Sequence, residues 1–108
     1  MSFGQVLATA RKQANMTQKE LAAHIRKEDG RSITPQYLND LERDRRNPPP
    51  EALLVQLAAV LKIPRELLYY QAGRLLPEMT GIQADDDRVV RAYTEFLTIM
   101  RDGTGGTS

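Results

Sequence analysis

The chain has 108 residues, of which 41% are hydrophobic and 27% charged, and its formal net charge is +1. This length is enough for one modest core, and the composition excludes a disordered or membrane-embedded chain. With no apolar run near the roughly 18 residues of a membrane span, no signal-peptide pattern and no cysteine, we expect a cytoplasmic protein without disulfides or thiolate metal sites.

Two helices are predicted in the first 25 residues. Phe3, Val6, Leu7, Ala10 and Ala14 recur at intervals of three and four, which is typical of one buried helical face. Asn15-Met16 interrupts the pattern, and Thr17-Gln18-Lys19-Glu20 then forms a capping box at the start of a second helix. The second helix has an inner face of Leu21, Ala22 and Ile25, and its end is blurred by the charged stretch 26–32.

Three more helices follow in chain order. Thr34-Pro35 supplies a capping hydroxyl and a proline at the first helical position, so the third helix begins there. Its Leu38 and Leu41 should face inward, which leaves a polar outer face. The proline run 48–50 forces a new start for a fourth helix, and Pro64 opens a short fifth helix that Gly73 ends. The apolar stripe of the fourth helix is Leu53, Leu54, Leu57, Ala58 and Leu61.

The remainder of the chain is predicted to be a linker over residues 74–84, a helix over 85–102 and a disordered tail over 103–108. Asp85-Asp86-Asp87 places negative charge at the start of this last helix. Its amphipathic stripe consists of Val89, Tyr93, Phe96, Leu97 and Met100. The predicted fold is therefore all-α, with a compact five-helix domain over residues 1–73 and an additional C-terminal amphipathic helix.

Four short segments in this order resemble the lambda-repressor-like family of helix-turn-helix regulators, which includes the Cro/cI and xenobiotic-response-element types. They are Thr17-Gln18-x-Glu20-Leu21-Ala22, Ile33-Thr34, Leu38-x-x-Leu41-Glu42 and Arg45-Arg46-Asn47-Pro48. The resemblance covers roughly residues 3–72. It implies a five-helix DNA-binding domain whose third helix reads the major groove.

The resemblance also implies roles for individual residues. Gln18 would bind a phosphate at the start of the second helix, and the arginines after the third helix would clamp the backbone. Gln36 could bond adenine, and Asp40 could accept from a cytosine amino group. Arg11 and Glu42 would form a structural ion pair between the first and third helices. The expected DNA-binding set is Gln18, Thr34, Gln36, Tyr37, Asn39, Asp40, Arg43, Arg45 and Arg46.

Two departures from the family pattern affect the third helix. The segment between Ile25 and Ile33 is about six residues longer than the family's usual tight turn. Either the second helix runs longer or a loop bulges, and Arg26, Lys27 and Arg31 could add phosphate contacts or the insertion could change the angle of the third helix. Pro35 occupies a position where relatives often carry a side chain that reaches DNA.

Several of these residues also have a structural interpretation. The outer face of the third helix could be merely solvated, and Asp40 could pair with Arg43 or another neighbouring arginine on the helix surface. For His24 we expect a surface residue, not a metal ligand. For residues 85–87 we expect a solvated helix cap, because the spacing of a calcium loop is missing. The stripe of the last helix could pack on its own domain, but we favour a dimer contact.

The function that follows from the sequence is a DNA-binding transcriptional regulator, a repressor acting as a homodimer on a palindromic or pseudo-palindromic operator of double-stranded DNA. Charge agrees with this, because residues 1–75 carry +4 and residues 76–108 carry −3. The alternative is an antitoxin or other interaction protein that binds a protein partner through the C-terminal helix. We expect no enzymatic activity, metal or cofactor, because no nucleophile-base pair, glycine-rich phosphate loop or metal-ligand cluster is present in the sequence.

Overall fold

The structure is a computed structural model that describes residues 1–103, so most of the tail predicted over 103–108 lies outside the described residues. Within this range the regular elements are helices, and one isolated bridge joins Arg26 and Ser32. The predicted all-α fold with a five-helix domain and a C-terminal helix is confirmed. The helices are α1 (Phe3–Gln13), α2 (Gln18–Ala23), α3 (Pro35–Glu42), α4 (Glu51–Leu61), α5 (Arg65–Gln71), α6 (Pro77–Thr80) and α7 (Asp86–Asp102).

Each of α2 and α3 follows a threonine whose side chain caps the start of the helix. The Thr17 hydroxyl accepts a hydrogen bond from the backbone N–H of Glu20, whose carboxylate accepts one from the backbone N–H of Thr17. The bonds from the Thr17 backbone and hydroxyl lower the pKa of Glu20. At α3 the Thr34 hydroxyl accepts from the N–H of Tyr37 at 3.0 Å, and Pro35 occupies the first turn. These caps satisfy donors that a helix start leaves open.

The described chain divides into two compact units, Met1–Leu76 and a second unit that begins at Pro77. In the first unit α1 packs against α3 and α5, α2 packs against α3, and α4 packs against α5. The helices enclose one leucine-rich core, which includes Leu7, Leu21, Leu38, Leu41, Leu54, Leu57 and Leu68. The apolar stripes predicted for α1, α3 and α4 thus meet in the same interior, except for Ala14 of the α1 stripe, which follows the helix as its C-terminal cap and is exposed.

The contact between α1 and α3 is unusually close at Gly4. A Cβ atom at this position would lie 2.6 Å from the carbonyl oxygen of Leu41 and nearer still to that of Glu42. The backbone N–H of Gly4 also donates to Oδ1 of Asp44 at 2.9 Å, and Ser2 Oγ donates to Oδ2 of the same carboxylate at 2.5 Å. The end of α3 is therefore held directly against the start of α1.

The first unit extends beyond the predicted boundary at residue 73. The guanidinium of Arg74 donates to the carbonyl oxygens of Pro48, at 3.2 Å, and Pro49. Leu76 packs, partly buried, against the core. These contacts tie residues 74–76 to the first unit, and Pro77–Thr80 forms a single helical turn within the segment predicted as a linker.

The second unit is dominated by α7. Asp85 caps this helix by accepting from the N–H of Arg88 at 2.8 Å, and Gly103 ends it in a left-handed conformation with φ of 74°. None of its residues is buried within the described chain. Among residues 1–103, no helix combines the length and the apolar character that crossing a bilayer requires.

Candidate nucleic-acid interface

The outer face of α3 carries Gln36 and Asp40, one turn apart. Nε2 of Gln36 donates to Oδ1 of Asp40 at 3.0 Å, and Gln36 is exposed. This bond leaves the second hydrogen on Nε2 and the oxygen Oε1 of Gln36 for another partner. The Gln36 amide thus presents one free donor and one acceptor side by side, as a bidentate hydrogen bond to adenine requires.

Two arginines of the turn after α3 lie beside Asp40. Nη1 of Arg45 is 4.0 Å from Oδ1 of Asp40, and Nε of Arg46 is 3.9 Å from Oδ2. Both arginine side chains are more than half exposed, so these ion pairs are weak and the guanidinium groups remain accessible. Arg43 lies at the C-terminal cap of α3 and is also exposed.

Arg46 also contacts the ring of Tyr37 on one flank of α3. The guanidinium carbon lies 5.1 Å from the ring centroid, which is within the range of a cation–π interaction. Burial raises the pKa of Tyr37, and the nearby Arg46 charge opposes this effect. The phenol therefore remains protonated at neutral pH and can donate a hydrogen bond.

On the opposite flank, Arg11 and Glu42 form a bidentate ion pair between α1 and α3. Nε of Arg11 lies 2.6 Å from Oε2 of Glu42, and Nη2 lies 3.0 Å from Oε1. Nη1 of Arg11 donates to the carbonyl oxygen of Met16 at 2.8 Å. The side chains are only 12% and 5% exposed. The hydrogen bond to Glu42 raises the pKa of Arg11 above its ordinary value, so the guanidinium stays charged.

The same network continues through Gln18 to Asn39. Nε2 of Gln18 donates to Oε1 of Glu42 at 3.0 Å and to Oδ1 of Asn39 at 3.1 Å. Both hydrogens of this amide are thereby used inside the protein, whereas the sequence predicts that Gln18 binds a phosphate. An amide oxygen cannot donate to a phosphate. In this arrangement Gln18 orients Asn39, and a side-chain phosphate contact would require Nε2 to leave one of its two acceptors.

The segment between Ile25 and Ile33 is a loop and not an extension of the second helix, because α2 ends at Ala23. The N–H of Ile33 donates to the carbonyl oxygen of Ile25 at 3.0 Å, and Arg26 and Ser32 form an antiparallel bridge. We refer to residues 26–32 as the insertion hairpin. It borders an open groove of about 610 Å³ together with Thr34, Tyr37 and Arg46.

Sequence reasoning missed the residue that holds this hairpin. The side chain of Gln56 in α4 accepts from the N–H of Arg26 at 2.7 Å and donates to its carbonyl oxygen at 2.8 Å. Gln56 is the one polar residue in the stretch from Ala52 to Leu61. That isolated position was the only signal in the sequence, and it does not indicate a partner.

The residues weighed as metal ligands do not form a cluster. His24 is exposed at the C-terminal cap of α2, and Asp85 caps α7. Within residues 1–103, no group of three histidine, aspartate or glutamate side chains is arranged to hold a metal ion.

The segment that contains α2, α3 and the arginine-rich turn matches a known protein family. A family model described as helix-turn-helix matches residues 7–68, which is more than half of the chain. The chain belongs to the helix-turn-helix family of Cro/cI type. This membership supports a DNA-binding regulator of transcription.

The helix-turn-helix fold also has a counterpart among solved structures. The chain is similar to one in a SinR protein/SinI protein complex, with a TM-score of 0.51 and 22% sequence identity, over 96% of this chain and 84% of that chain. At this identity the similarity shows the fold alone. No curated protein matches the sequence.

Proposed function

We propose that this protein is a repressor that binds as a homodimer to a two-fold or pseudo-two-fold operator, acting in the cytoplasm and not as an enzyme. The observation that carries the proposal is the outer face of α3, where Gln36 and Asp40 lie between Arg45 and Arg46 on one side and Gln18 and Asn39 on the other. A helix with this surface fits the major groove, which displays base edges between two phosphate backbones.

Sequence reading is assigned to Gln36 and Asn39, with Tyr37 and Asp40 beside them. The Gln36–Asp40 bond holds the Gln36 amide in one orientation, so its free donor and acceptor can meet N7 and the amino group of adenine. Asn39 is oriented by Gln18 through its Oδ1, and its Nδ2 supplies the donors for an acceptor on a base. Asp40 would either accept from a cytosine amino group or act by positioning Gln36 and the arginines.

Backbone binding is assigned to Arg43, Arg45 and Arg46, together with Thr34 at the start of α3. The exposed arginine side chains supply positive charge at the C-terminal end of the reading helix. Each phosphate that they neutralise releases counterions, so their contribution to affinity falls as salt increases. They should fix the position of α3 on the duplex without selecting the sequence.

This division of roles predicts different losses for two single variants. Gln36→Ala should weaken binding by about 1–3 kcal/mol at one base pair of each half-site and relax the preference there. Arg45→Ala should weaken binding to all duplexes and reduce the slope of log K against log salt by about 0.9 for each phosphate that Arg45 neutralises in the wild type. Fluorescence anisotropy on operator and random duplexes at several salt concentrations separates the two. Equal losses on both duplexes for both variants would contradict the assignment.

Dimerisation is assigned to α7. Val89, Tyr93, Phe96, Leu97 and Met100 lie on one face of this helix and are between 44% and 58% exposed in the described chain. Two such faces can bury each other, and pairing two reading domains doubles the DNA contacts. Half-sites are then expected about 10 bp apart or at a multiple of this distance.

A charge on the apolar face of α7 should separate the protomers. Phe96→Glu is expected to give a monomer in sedimentation equilibrium and to weaken binding to a two-half-site duplex by about 100-fold or more, because the avidity of two linked sites is lost. Thr98→Glu is the matched control, since it adds the same charge at a position about 100° or more around the helix from each residue of the apolar face. A dimer that survives Phe96→Glu, or a monomeric wild-type protein, would refute the role of α7.

The function itself is tested by selection from a randomised duplex pool with the purified chain at physiological salt. The expected result is enrichment of a palindromic motif whose half-sites have the predicted spacing. Retention of unenriched DNA, or of none, would overturn the proposal of a sequence-specific dimeric regulator.

A second candidate function is an antitoxin or another protein that acts through a protein partner. The exposed apolar face of α7 favours it, and the similar solved chain belongs to a complex of two different proteins. In that case a stoichiometric partner should co-purify with the chain, and Phe96→Glu should release it while Thr98→Glu should not.

A further inference from the structure

The insertion hairpin is a preorganised element and not a loose loop. The N–H of Lys27 donates to the carbonyl oxygen of Arg31 at 2.8 Å, and the N–H of Gly30 donates to that of Lys27 at 2.9 Å. Gly30 has a φ of 84°, and Asp29 accepts from the N–H of Arg31 at 2.9 Å. This is a tight turn with glycine at the left-handed position. The tip is therefore held in one shape before any partner binds.

The base of the insertion hairpin is fixed to the rest of the first unit. Gln56 bonds both backbone groups of Arg26, and Nε2 of Gln56 also donates to the carbonyl oxygen of Ala52 at 3.2 Å. Ile25 and Ile33, which flank the hairpin, are 0% and 3% exposed. With its base fixed on two sides, the hairpin keeps a defined position relative to α3.

That position is on the Tyr37 flank of α3. The groove of about 610 Å³ is lined by Arg26 and Lys27 of the hairpin together with Tyr37 and Arg46. Gln18 and Asn39 lie on the opposite flank of the helix, because residues 37 and 39 are about 200° apart around an α-helix. A helix in the major groove has one phosphate backbone along each flank. The hairpin thus lies on the side where a second backbone must pass.

We propose that the insertion hairpin is a second DNA-binding element, which holds the sugar-phosphate backbone on the Tyr37 flank through Arg26 and Lys27 of the groove lining. Arg31 adds a further positive charge, since its side chain is 83% exposed and its Nε lies 3.9 Å from Oδ2 of the groove residue Asp29 in a weak ion pair. The inference rests on the proposed function, because it takes α3 as the reading helix. The groove lining combines the apolar surfaces of Tyr37, Pro50 and Leu53 with three cations and two carboxylates, so its charge is net positive and suits deoxyribose and phosphate together. The charged lining residues are Arg26, Lys27, Arg46, Glu28 and Asp29. Binding of the backbone here adds affinity and register without adding base specificity.

Glu28 gives the proposal a test that does not depend on loss of function. This exposed carboxylate lines the same groove and would repel a phosphate placed there. Glu28→Lys should therefore tighten binding to operator and random duplexes alike and steepen the salt slope by about 0.9 for each additional phosphate that the new lysine neutralises. A variant that fails to fold would lose its recognition of the operator, so tighter operator binding cannot result from misfolding.

The matching loss comes from Lys27→Ala combined with Arg31→Ala in the full chain. The double variant should keep the selected sequence preference, and its salt slope should fall by about 0.9 for each phosphate that these two side chains neutralise in the wild type. Lys62→Asn is the control, since it removes one positive charge from the end of α4 with a residue that tolerates the φ of 56° found there. Its salt slope should match that of the wild type.

The two proposals fail in different ways. If the wild type binds its operator and both hairpin variants, Glu28→Lys and the Lys27→Ala/Arg31→Ala double variant, keep its salt slope, the hairpin does not bind the backbone. The reading role of α3 then still stands. If Gln36→Ala leaves the sequence preference unchanged but the hairpin variants shift the slope as expected, the role of the hairpin stands and the assignment of base reading to Gln36 falls. A wild-type chain that binds no duplex overturns both.

Discussion

Glu42→Ala is expected to lower the free energy of unfolding by about 3 kcal/mol, the lower end for buried pairs, because it removes one partner of a partly buried bidentate ion pair. The Arg11 guanidinium, with its side chain 12% exposed, would lose both bonds to the carboxylate and keep only the bond to Met16. Gln18 would lose one of its two acceptors at the same time. Urea unfolding followed by circular dichroism measures the change.

Two further variants identify the cause of that loss. Replacing both Arg11 and Glu42 by leucine removes the charges together, so most of the stability should return. Glu28→Ala, in the exposed tip of the insertion hairpin, should change the free energy of unfolding by less than about 0.5 kcal/mol. A loss below about 1 kcal/mol for Glu42→Ala would show that the pair contributes no more than an exposed one.

Gly4→Ala should lower the free energy of unfolding by about 3 kcal/mol, since the added methyl group meets backbone atoms. Its Cβ would lie 2.6 Å from the carbonyl oxygen of Leu41, and a carbonyl in a helix cannot rotate away as a side chain would. Moving α1 outward to relieve the clash would also stretch the bond between the Gly4 N–H and Asp44. The gain in helix propensity, about 1 kcal/mol, is too small to compensate.

Gly81→Ala is the matched control for this prediction. A Cβ at Gly81 would meet no atom within 4 Å, and Gly81 is not among the residues with positive φ. The free energy of unfolding should therefore stay within about 0.5 kcal/mol of the wild type. If Gly4→Ala were equally neutral, the close approach of α1 to α3 could not be a feature of the folded protein.

The sequence predicted well those parts of the fold that depend on interactions between residues close together in the chain. The box formed by Thr17 and Glu20 and the Thr34-Pro35 pair each act on the helix that they begin, so the starts of α2 and α3 could be read directly. Leucines at helical spacing identified the buried faces for the same reason. The face of α3 expected to meet DNA followed from these starts and from the family resemblance.

The parts that could not be predicted depend on partners distant in the chain. Gln56 holds Arg26 from 30 positions away, so the sequence left the choice between a longer helix and a loop open. Arg74 donates to the carbonyl oxygen of Pro48, and the first unit therefore ends at Leu76 and not at the predicted residue 73. Gln18 was expected to bind phosphate, and only the positions of Glu42 and Asn39 reveal its internal bonds.

The hydrogen bond between Ile25 and Ile33 has an evolutionary consequence. Both residues are buried, and the bond brings the two ends of the insertion as close together as a tight turn would. Residues between Ile25 and Ile33 can therefore be added or deleted without displacing α2 or α3, because surface loops tolerate such changes in length. Descendants of this chain could thus diverge in how far they reach along DNA while inheriting an unchanged reading helix.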